Sequence, residues 1–367
     1  MQLVVFGLTI SSSWGNGHAT IWRGLCRGLA RRGHAVTFFE RDVPYYAGHR
    51  DAVEIPGCTL RLYGSWDEVA PAARRAVDEA GCAMVTSYCP DALAATELVL
   101  DSRAPLRVFY DLDTPVTFAR LAAGEEVPYV GARGLGGFDV VLSFTGGAAL
   151  RELRRRLGAR RVAPLYGSVD PQVHHPVAGD PSFAADLSYL GTYAEDRQER
   201  LEALFLAPAR ARPARRFLIG GALYPQDFPW APNVWFARHV PPAEHAAFYC
   251  SSRLTLNVTR AAMAAMGHCP SGRLFEAAAC GTPVVTDSWD GLDEFFTPGE
   301  EIVIARGPAD VLAALELSDA ELGRIGAAAR ERALAQHSAD RRAEQLLDAL
   351  ERTLAARSAA EDAALGR

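Results

Sequence analysis

The stretch SGRLFEAAACGTPVVT, Ser271 to Thr286, opens with charged residues, continues with small ones and ends in a β-branched apolar run. Ser271 is a typical N-cap residue, and the alanines that follow allow a helix to pack closely against a sheet. Gly281 favours the end of that helix, and the valines after it are typical of a buried strand. The stretch therefore predicts one helix and one strand of a parallel α/β sheet.

The start of this predicted helix is suited to bind an anion. The N–H groups of Gly272 and Arg273 have no partner within the helix, and a guanidinium can bind two phosphate oxygens at once. Arg273 and Glu276 are three positions apart and so share one helix face. A diphosphate at the helix start would place an attached ribose near Glu276. An ordinary surface ion pair explains the same spacing, and the residues alone leave both interpretations open.

Alternating strand-like and helix-like runs fill the rest of the chain and predict two Rossmann-like α/β domains. The first βαβ unit begins with the apolar run LVVFGLTI and ends with the strand AVTFFE. Residues 162–183 are rich in proline, glycine and aspartate and are interpreted as the connection between domains. The predicted bounds are 1–165 for the first domain, 166–338 for the second, and 339–367 for a terminal helix that packs back on the first.

Composition narrows the function classes. The chain has 367 residues, of which 49% are hydrophobic and 22% charged, as in soluble globular proteins. The apolar N-terminal run is not preceded by basic residues, so a cytoplasmic protein without a signal peptide is predicted. The seven cysteines form no CxxC pair, which favours reduced thiols. A net charge of -6 argues against nucleic acid as the main partner.

All 38 residues counted as Lys+Arg are arginine. The absence of lysine excludes a P-loop, a kinase-type strand lysine and every Schiff-base mechanism. An anionic ligand must therefore be held by arginine, by backbone N–H groups or by helix ends.

The quoted stretch and its surroundings, LNVTRAAMAAMGHCPSGRLFEAAACGTPVVTDSWDGLDEFFTPGEE, resemble the nucleotide-sugar signature of GT-B glycosyltransferases. They are similar in particular to the spore-protein CgeB-like branch, as are the segments FYDLDTPVT and PLYGSVDP. The resemblance covers nearly the whole chain. It implies an α/β protein of GT-B fold, with two Rossmann-like domains facing each other across a cleft and a helical C-terminal tail. It also implies transfer of a sugar from a nucleoside-diphosphate donor to a hydroxyl-bearing acceptor.

By the same resemblance the second domain holds the donor. Glu276 would bind the ribose and Arg273 the diphosphate, with Ser271 and Gly272 beside it. The first turn of the second domain would approach the same phosphates, and two backbone positions would hold the base. These further donor-binding positions are Gly191 and Thr192 for the phosphates, and His239 and Val240 for the base.

The loop WGNGHAT after the first strand resembles the glycine-histidine loop of inverting GT-B enzymes. Its His18 would be the general base for the acceptor hydroxyl, oriented by a carboxylate, Asp111 in the first place or Asp113. The acceptor-side loop comprises Trp14, Gly15, Asn16 and Gly17. The D-x-D pattern of Asp111 and Asp113 also permits a metal site as a minor interpretation. The expectation is that neither a divalent metal nor a cofactor is required.

One position departs from the family pattern. Retaining relatives usually carry a second glutamate eight residues before the ribose glutamate, and this chain has His268 there, so inversion is slightly favoured. Three alternatives remain open: a non-catalytic coat or binding protein of the same fold, a sugar-nucleotide epimerase, and an NAD-dependent oxidoreductase. In the last, Glu40 would be the ribose acid, although Thr20 stands where the fingerprint needs its third glycine.

Overall fold

The computed structural model describes residues 1–15 and 17–364. The chain divides into two compact units. Unit 1 contains Met1–Tyr166 and the chain from Ala339 onward, and unit 2 contains Gly167–Ser338. Within the described residues, no helix combines the length and the apolar character needed to cross a membrane.

Unit 1 is built on a seven-stranded parallel sheet of order β3-β2-β1-β4-β5-β6-β7. The strand order reverses beside β1, so the carboxyl ends of β1 and β4 form the edge where doubly wound folds bind ligands. The strands are β1 Gln2–Gly7, β2 Ala35–Arg41, β3 Cys58–Tyr63, β4 Cys82–Thr86, β5 Leu106–Asp111, β6 Val140–Ser143 and β7 Val162–Pro164.

Helices cover this sheet. They are α1 His18–Arg31, α2 Pro44–Ala47, α3 Trp66–Glu79, α4 Ala92–Leu100, α5 Thr114–Ala122, α6 Ala148–Leu157 and the terminal helix α14 Ala339–Ala364. The terminal helix approaches α1 closely because Gly28 has no side chain: a Cβ there would lie 2.8 Å from the carbonyl oxygen of Ala339. Arg31 and Arg32 both bind Asp340, at 2.9 and 3.0 Å, and fix the contact.

Unit 2 repeats the plan with a six-stranded parallel sheet of order β10-β9-β8-β11-β12-β13. Its strands are β8 Ala185–Leu190, β9 Phe217–Gly221, β10 Val234–Arg238, β11 Ser252–Asn257, β12 Val284–Thr286 and β13 Val303–Ile304. Its helices are α7 Gln198–Leu201, α8 Ala207–Ala211, α9 His245–Cys250, α10 Ala261–Met266, α11 Gly272–Ala279, α12 Pro308–Leu315 and α13 Asp319–Gln336. A π-helical turn, Glu202–Leu206, joins α7 to α8.

The stretch Ser271 to Thr286 forms α11 followed by β12. Leu274, Phe275 and the three alanines of α11 are buried. A Cβ on Gly326 of α13 would lie 2.2 Å from the carbonyl oxygen of Gly281, so the glycine pair lets α13 pack against the end of α11. The carboxyl ends of β8 and β11, which are neighbours in the sheet, lie beside the start of α11 and position it for a ligand.

Candidate functional site

In unit 1, His18 lies beside a carboxylate. His18 is the first residue of α1, and its Nε2 is 3.5 Å from Oδ2 of Asp113, which is the N-cap residue of α5. The side chains are 11% and 25% exposed. The ring of Tyr88 packs edge-on against the imidazole, with 5.7 Å between centroids. With Nε2 beside the carboxylate, the buried Nδ1 is the nitrogen that would accept a proton from a hydroxyl, and the carboxylate would stabilise the imidazolium that results.

The carboxylate at His18 is thus Asp113 and not the preferred Asp111. Asp111 is fully buried and turned into the interior. Its Oδ1 accepts from the N–H of Asp113 at 3.2 Å, and its Oδ2 accepts from Oγ1 of Thr117 at 2.9 Å. Asp111 is the last residue of β5, and its side chain alternates into the core, whereas Asp113 follows the strand and begins the next helix. Asp111 therefore supports the loop that carries Asp113, and the D-x-D pair does not act as a unit.

Burial raises the pKa of Asp111 to about 6, partly offset by the hydrogen bond from Thr117, while the nearby Asp113 adds to the rise. Since the unfolded carboxyl titrates near 4, the folded state binds more protons between pH 4 and 6, and stability falls as the pH rises through this window. We expect Asp111→Asn to remove this loss and to stabilise the protein at pH 8 by up to about 3 kcal/mol. Urea unfolding of both proteins at pH 4 and pH 8 measures it. If the free energies of unfolding of the two proteins differed by the same amount at both pH values, the raised pKa of Asp111 would be contradicted.

The predicted acceptor-side loop lies directly before His18. Trp14 stacks on His49 with ring centroids 4.2 Å apart. Gly15 has a φ of +67°, a backbone conformation that residues other than glycine rarely adopt. Gly17 is the N-cap residue of α1. Asn16 lies outside the described residues.

Glu40 anchors the start of this loop and does not face a ligand. It is completely buried, and its oxygens accept four hydrogen bonds from Thr9, Ile10 and Ser11, between 2.5 and 3.0 Å. A ribose acid of a dinucleotide site must offer its carboxylate to two hydroxyls. Glu40 has its acceptor positions occupied by the chain itself, which removes the residue on which the oxidoreductase alternative depended.

In unit 2, the start of α11 is open. Ser271 occupies the N-cap position as predicted, but its side chain caps no N–H group; its Oγ accepts from Nε of Arg273 at 3.2 Å. A Cβ built on Gly272 would meet only Oε1 of Glu276, at 4.0 Å. The Ser271 side chain therefore leaves the first N–H groups uncapped, and the space beside Gly272 is open, which suits an anion at the helix start.

Arg273 is held at the carboxyl ends of β8 and β11. Its Nη1 donates to the carbonyl of Leu190 at 2.6 Å and its Nη2 to that of Val258 at 3.3 Å, and its guanidinium lies 5.6 Å from the ring centroid of Tyr189. Gly191 lies directly beside this guanidinium, since a Cβ there would lie 2.6 Å from Nη1. The guanidinium thus supplies a fixed positive charge at this edge, with much of its hydrogen bonding used to link the strands.

The turn after β8 is compressed. The N–H of Gly191 donates to Gly220 at 2.8 Å, and a Cβ on Gly221 would lie 2.1 Å from the carbonyl oxygen of Gly191. The carbonyl of Thr192 accepts from Nη2 of Arg197 at 2.5 Å. Gly191 therefore serves close packing, and its N–H is not available to a phosphate.

Sequence reasoning missed Arg197. This arginine is half-buried in the same turn, and its buried Nε has no hydrogen-bond partner among the described residues. A second guanidinium beside Arg273 strengthens the positive potential at this edge. Two features of the sequence could have indicated Arg197 as a phosphate ligand. It follows Gly191 by six residues, and the chain has no lysine that could supply the positive charge instead.

Both predicted base-binding positions, His239 and Val240, have a backbone group that contacts another residue of unit 2. His239 follows β10 with a φ of +55°, and its N–H donates to the carbonyl of Gly221 at 2.7 Å. The carbonyl oxygen of Val240 lies 3.2 Å from Nε2 of His245. The N–H of His239 and the carbonyl of Val240 therefore already have partners within unit 2. Fewer backbone groups at these two positions are left to bind a base.

Glu276 points its carboxylate along α11 toward three side chains. Its Oε2 accepts from the Tyr249 hydroxyl at 3.5 Å and lies 3.9 Å from Nδ1 of His245. Its side chain is 12% exposed. His174 completes the group: one ligand atom each from His174, His245 and Glu276 lies within 4.8 Å of the others. Glu276 is thus not bound to Arg273, so the simple surface ion pair is not what the structure shows.

His268, which stands where retaining relatives have glutamate, belongs to a separate contact. Its Nδ1 lies 3.2 Å from Oε1 of Glu294, and its Nε2 lies 3.8 Å from Oδ2 of Asp290. The residue has a φ of +46°.

Residues 197–348 match the family model described as glycosyl transferase-like. A search of curated proteins gave no match. Similar solved structures include sucrose-phosphate synthase from Thermosynechococcus elongatus, with 17% identity, a TM-score of 0.70, and coverage of 97% of this chain and 100% of that one. Anabaena HepE in complex with UDP and glucose has 14% identity and a TM-score of 0.67, covering 96% and 99%.

An alpha-glucosyltransferase in complex with UDP-glucose and DNA containing an abasic site is also similar, with 14% identity, a TM-score of 0.66, and coverage of 96% and 99%. The chain has the GT-B fold of these glycosyltransferases, as predicted. The glycosyl transferase-like match covers unit 2 from residue 197 onward and the first part of α14.

Proposed function

We propose that this protein transfers a sugar from a nucleoside-diphosphate donor to a hydroxyl-bearing acceptor. The observation that carries the proposal is the open start of α11, with Gly272 uncovered, Arg273 fixed beside it and Glu276 one turn further along. Helix N–H groups and guanidinium groups bind a diphosphate, and a carboxylate binds the hydroxyls of a ribose. The GT-B fold and the glycosyl transferase-like match of residues 197–348 agree with this assignment.

We assign neutralisation of the leaving diphosphate to arginine and the helix end, without a metal ion bound to the phosphates. Arg273 and Arg197 both lie at the turn after β8, next to the start of α11. Fixed positive groups stabilise charge that develops on a leaving group. UDP is the first donor nucleotide to test, because the solved structures of HepE and the alpha-glucosyltransferase contain UDP or UDP-glucose.

His18 is the proposed general base, and Asp113 orients it. The 3.5 Å approach of the carboxylate to Nε2 supports this role, since a neighbouring carboxylate fixes the tautomer and stabilises the protonated ring. We favour inversion at the anomeric carbon for two reasons. A base that acts directly on the acceptor needs no second carboxylate at the donor site, and this chain has His268 where retaining relatives carry that second glutamate. The CgeB-like branch, the cytoplasmic location and an acceptor other than nucleic acid remain proposals from the sequence.

A two-stage experiment tests the function. Melting temperatures measured with UDP, GDP, dTDP, CDP and ADP should rise with one of them, because a ligand that binds only the folded state stabilises it. The matching sugar nucleotide should then be consumed with release of the nucleoside diphosphate, and NMR of the product should show the inverted anomer. A product with the retained anomer would refute inversion but would still support sugar transfer. Binding without turnover would support a non-catalytic protein, and acceptor-independent isomerisation an epimerase.

A further inference from the structure

Three segments of unit 2 bring together an unusual group of side chains. His174 comes from the segment after residue 167, His245 is the first residue of α9, and Glu276 lies in α11. One ligand atom of each lies within 4.8 Å of the others. Among the described residues, both ring nitrogens of His174 and Nδ1 of His245 are buried without a hydrogen-bond partner. His174 is 4% exposed.

A buried polar group without a partner is costly, so unpartnered nitrogens on both histidines indicate a ligand between them. A single ion would satisfy one nitrogen of each ring. The His245 tautomer limits what this ligand can be. Nε2 of His245 is 3.2 Å from the carbonyl oxygen of Val240, which can only accept, so Nε2 carries the proton. In the neutral ring Nδ1 then presents a lone pair toward Oε2 of Glu276, 3.9 Å away, which is also an acceptor.

Two acceptors that face each other need a donor or a cation between them. In its neutral form the His174 ring also offers one lone pair, so both imidazoles and the carboxylate can bind a cation. Two imidazoles and one carboxylate form the donor set of zinc sites that keep an open coordination position.

We propose that His174, His245 and Glu276 bind one Zn²⁺ ion. Adjacent ligands of a tetrahedral zinc lie about 3.3 Å apart. The 3.9 Å pair must therefore close by about 0.6 Å, and no pair of the three, all within 4.8 Å, by more than about 1.5 Å. The hydrogen bond from His245 Nε2 to Val240 is the outer contact that orients a zinc-bound imidazole. This ion is distinct from a metal at the diphosphate, which the proposed function does without.

The ion would position Glu276, and this consequence rests on the proposed function. Oε2 faces the histidines, whereas Oε1 is the oxygen that comes within 4.0 Å of a Cβ at Gly272. With Oε2 bound to zinc, Oε1 remains on the side of the open helix start and can accept from a ribose hydroxyl. His174 and His245 would then be positioning residues for donor binding.

The experiment uses the untagged chain, freed of metal with a chelator and titrated with Zn²⁺ by calorimetry, and with Co²⁺ by visible absorption. We expect one ion per chain and the intense spectrum of tetrahedral cobalt. His174→Ala and His245→Ala should each weaken Zn²⁺ binding by at least about tenfold. His175→Ala is the matched control, because His175 is the exposed neighbour of His174 and should bind as the wild type does. His174→Gln, of similar size, serves if the alanine variant does not fold.

Absence of saturable Zn²⁺ binding, or binding equally strong in His174→Ala and His175→Ala, would overturn the zinc site. Nucleotide binding is measured on the same samples. Nucleotide binding without Zn²⁺ binding would refute the zinc site and leave the proposed function intact. Zn²⁺ binding without nucleotide binding would support the zinc site and refute the proposed function.

Discussion

His18→Ala should lower kcat by about 10²–10⁴-fold, the usual contribution of a general base, and leave donor affinity unchanged. The lost rate corresponds to about 3–5 kcal/mol of transition-state stabilisation. Affinity should be unaffected because His18 belongs to unit 1, whereas every proposed donor contact belongs to unit 2. Steady-state rates with the active sugar nucleotide, together with calorimetric titration of its nucleoside diphosphate, measure both quantities.

The two aspartates of β5 and α5 provide a matched pair of controls. Asp113→Asn should also lower kcat, since the amide cannot stabilise the imidazolium that Asp113 faces at 3.5 Å. Asp111→Asn should retain most of the rate, because Asp111 bonds to Thr117 and to the Asp113 backbone. The reverse order, with Asp111→Asn the slower enzyme, would contradict the assigned pair. Full activity of His18→Ala would remove the proposed base.

Glu276→Ala should raise the Kd for the donor nucleotide by about 10–100-fold, since hydrogen bonds to a charged group contribute about 1.5–3 kcal/mol. The variant removes the acceptor for the ribose and also one of the proposed zinc ligands. Glu276→Gln keeps a carbonyl acceptor without the charge, so its Kd for the nucleotide should lie between those of the wild type and Glu276→Ala. Calorimetric titration with the nucleoside diphosphate is the measurement.

Glu300→Ala controls for the removal of a carboxylate from unit 2, because Glu300 is exposed in the segment before β13. It should bind the nucleotide as the wild type does. Equal affinity in Glu276→Ala and Glu300→Ala would count against the ribose contact.

The α/β organisation and the helix α11 could be predicted from sequence because their signals are local. Buried parallel strands are continuous apolar runs, and α11 follows an N-cap serine and ends before Gly281. The four strands that the sequence did not predict, β3, β7, β10 and β13, are the edge strands of the two sheets. The interpretation of residues 162–183 as a domain connection is wrong at its first three residues, which form β7. Few side chains of these strands are fully buried, and their sequences are correspondingly mixed, as in CTLRLY and VWFAR. An edge strand has no second neighbour to bury it, so its apolar pattern is weak.

The candidate site was predictable only as far as local spacing reaches. The open N-terminus of α11 and the shared face of Arg273 and Glu276 follow from the helix repeat. The choice between Asp111 and Asp113 depends on which side chain turns into the core where β5 ends. Two aspartates separated by one residue at a strand end do not reveal this from sequence. The approach of His174 to Glu276 joins segments about a hundred residues apart, and the sequence carries no local signal for it.

The central claim is that the start of α11 holds a diphosphate, and Gly272→Leu tests it most directly. Apart from the chain neighbours and the helix backbone, a Cβ at this position has only Oε1 of Glu276 within reach, at 4.0 Å, so we expect a melting temperature close to that of the wild type. The leucine would occupy the space through which a phosphate reaches the helix N–H groups. Calorimetric titration with the nucleoside diphosphate should show affinity weakened by at least about tenfold. Equal affinity in a folded Gly272→Leu variant would contradict the claim.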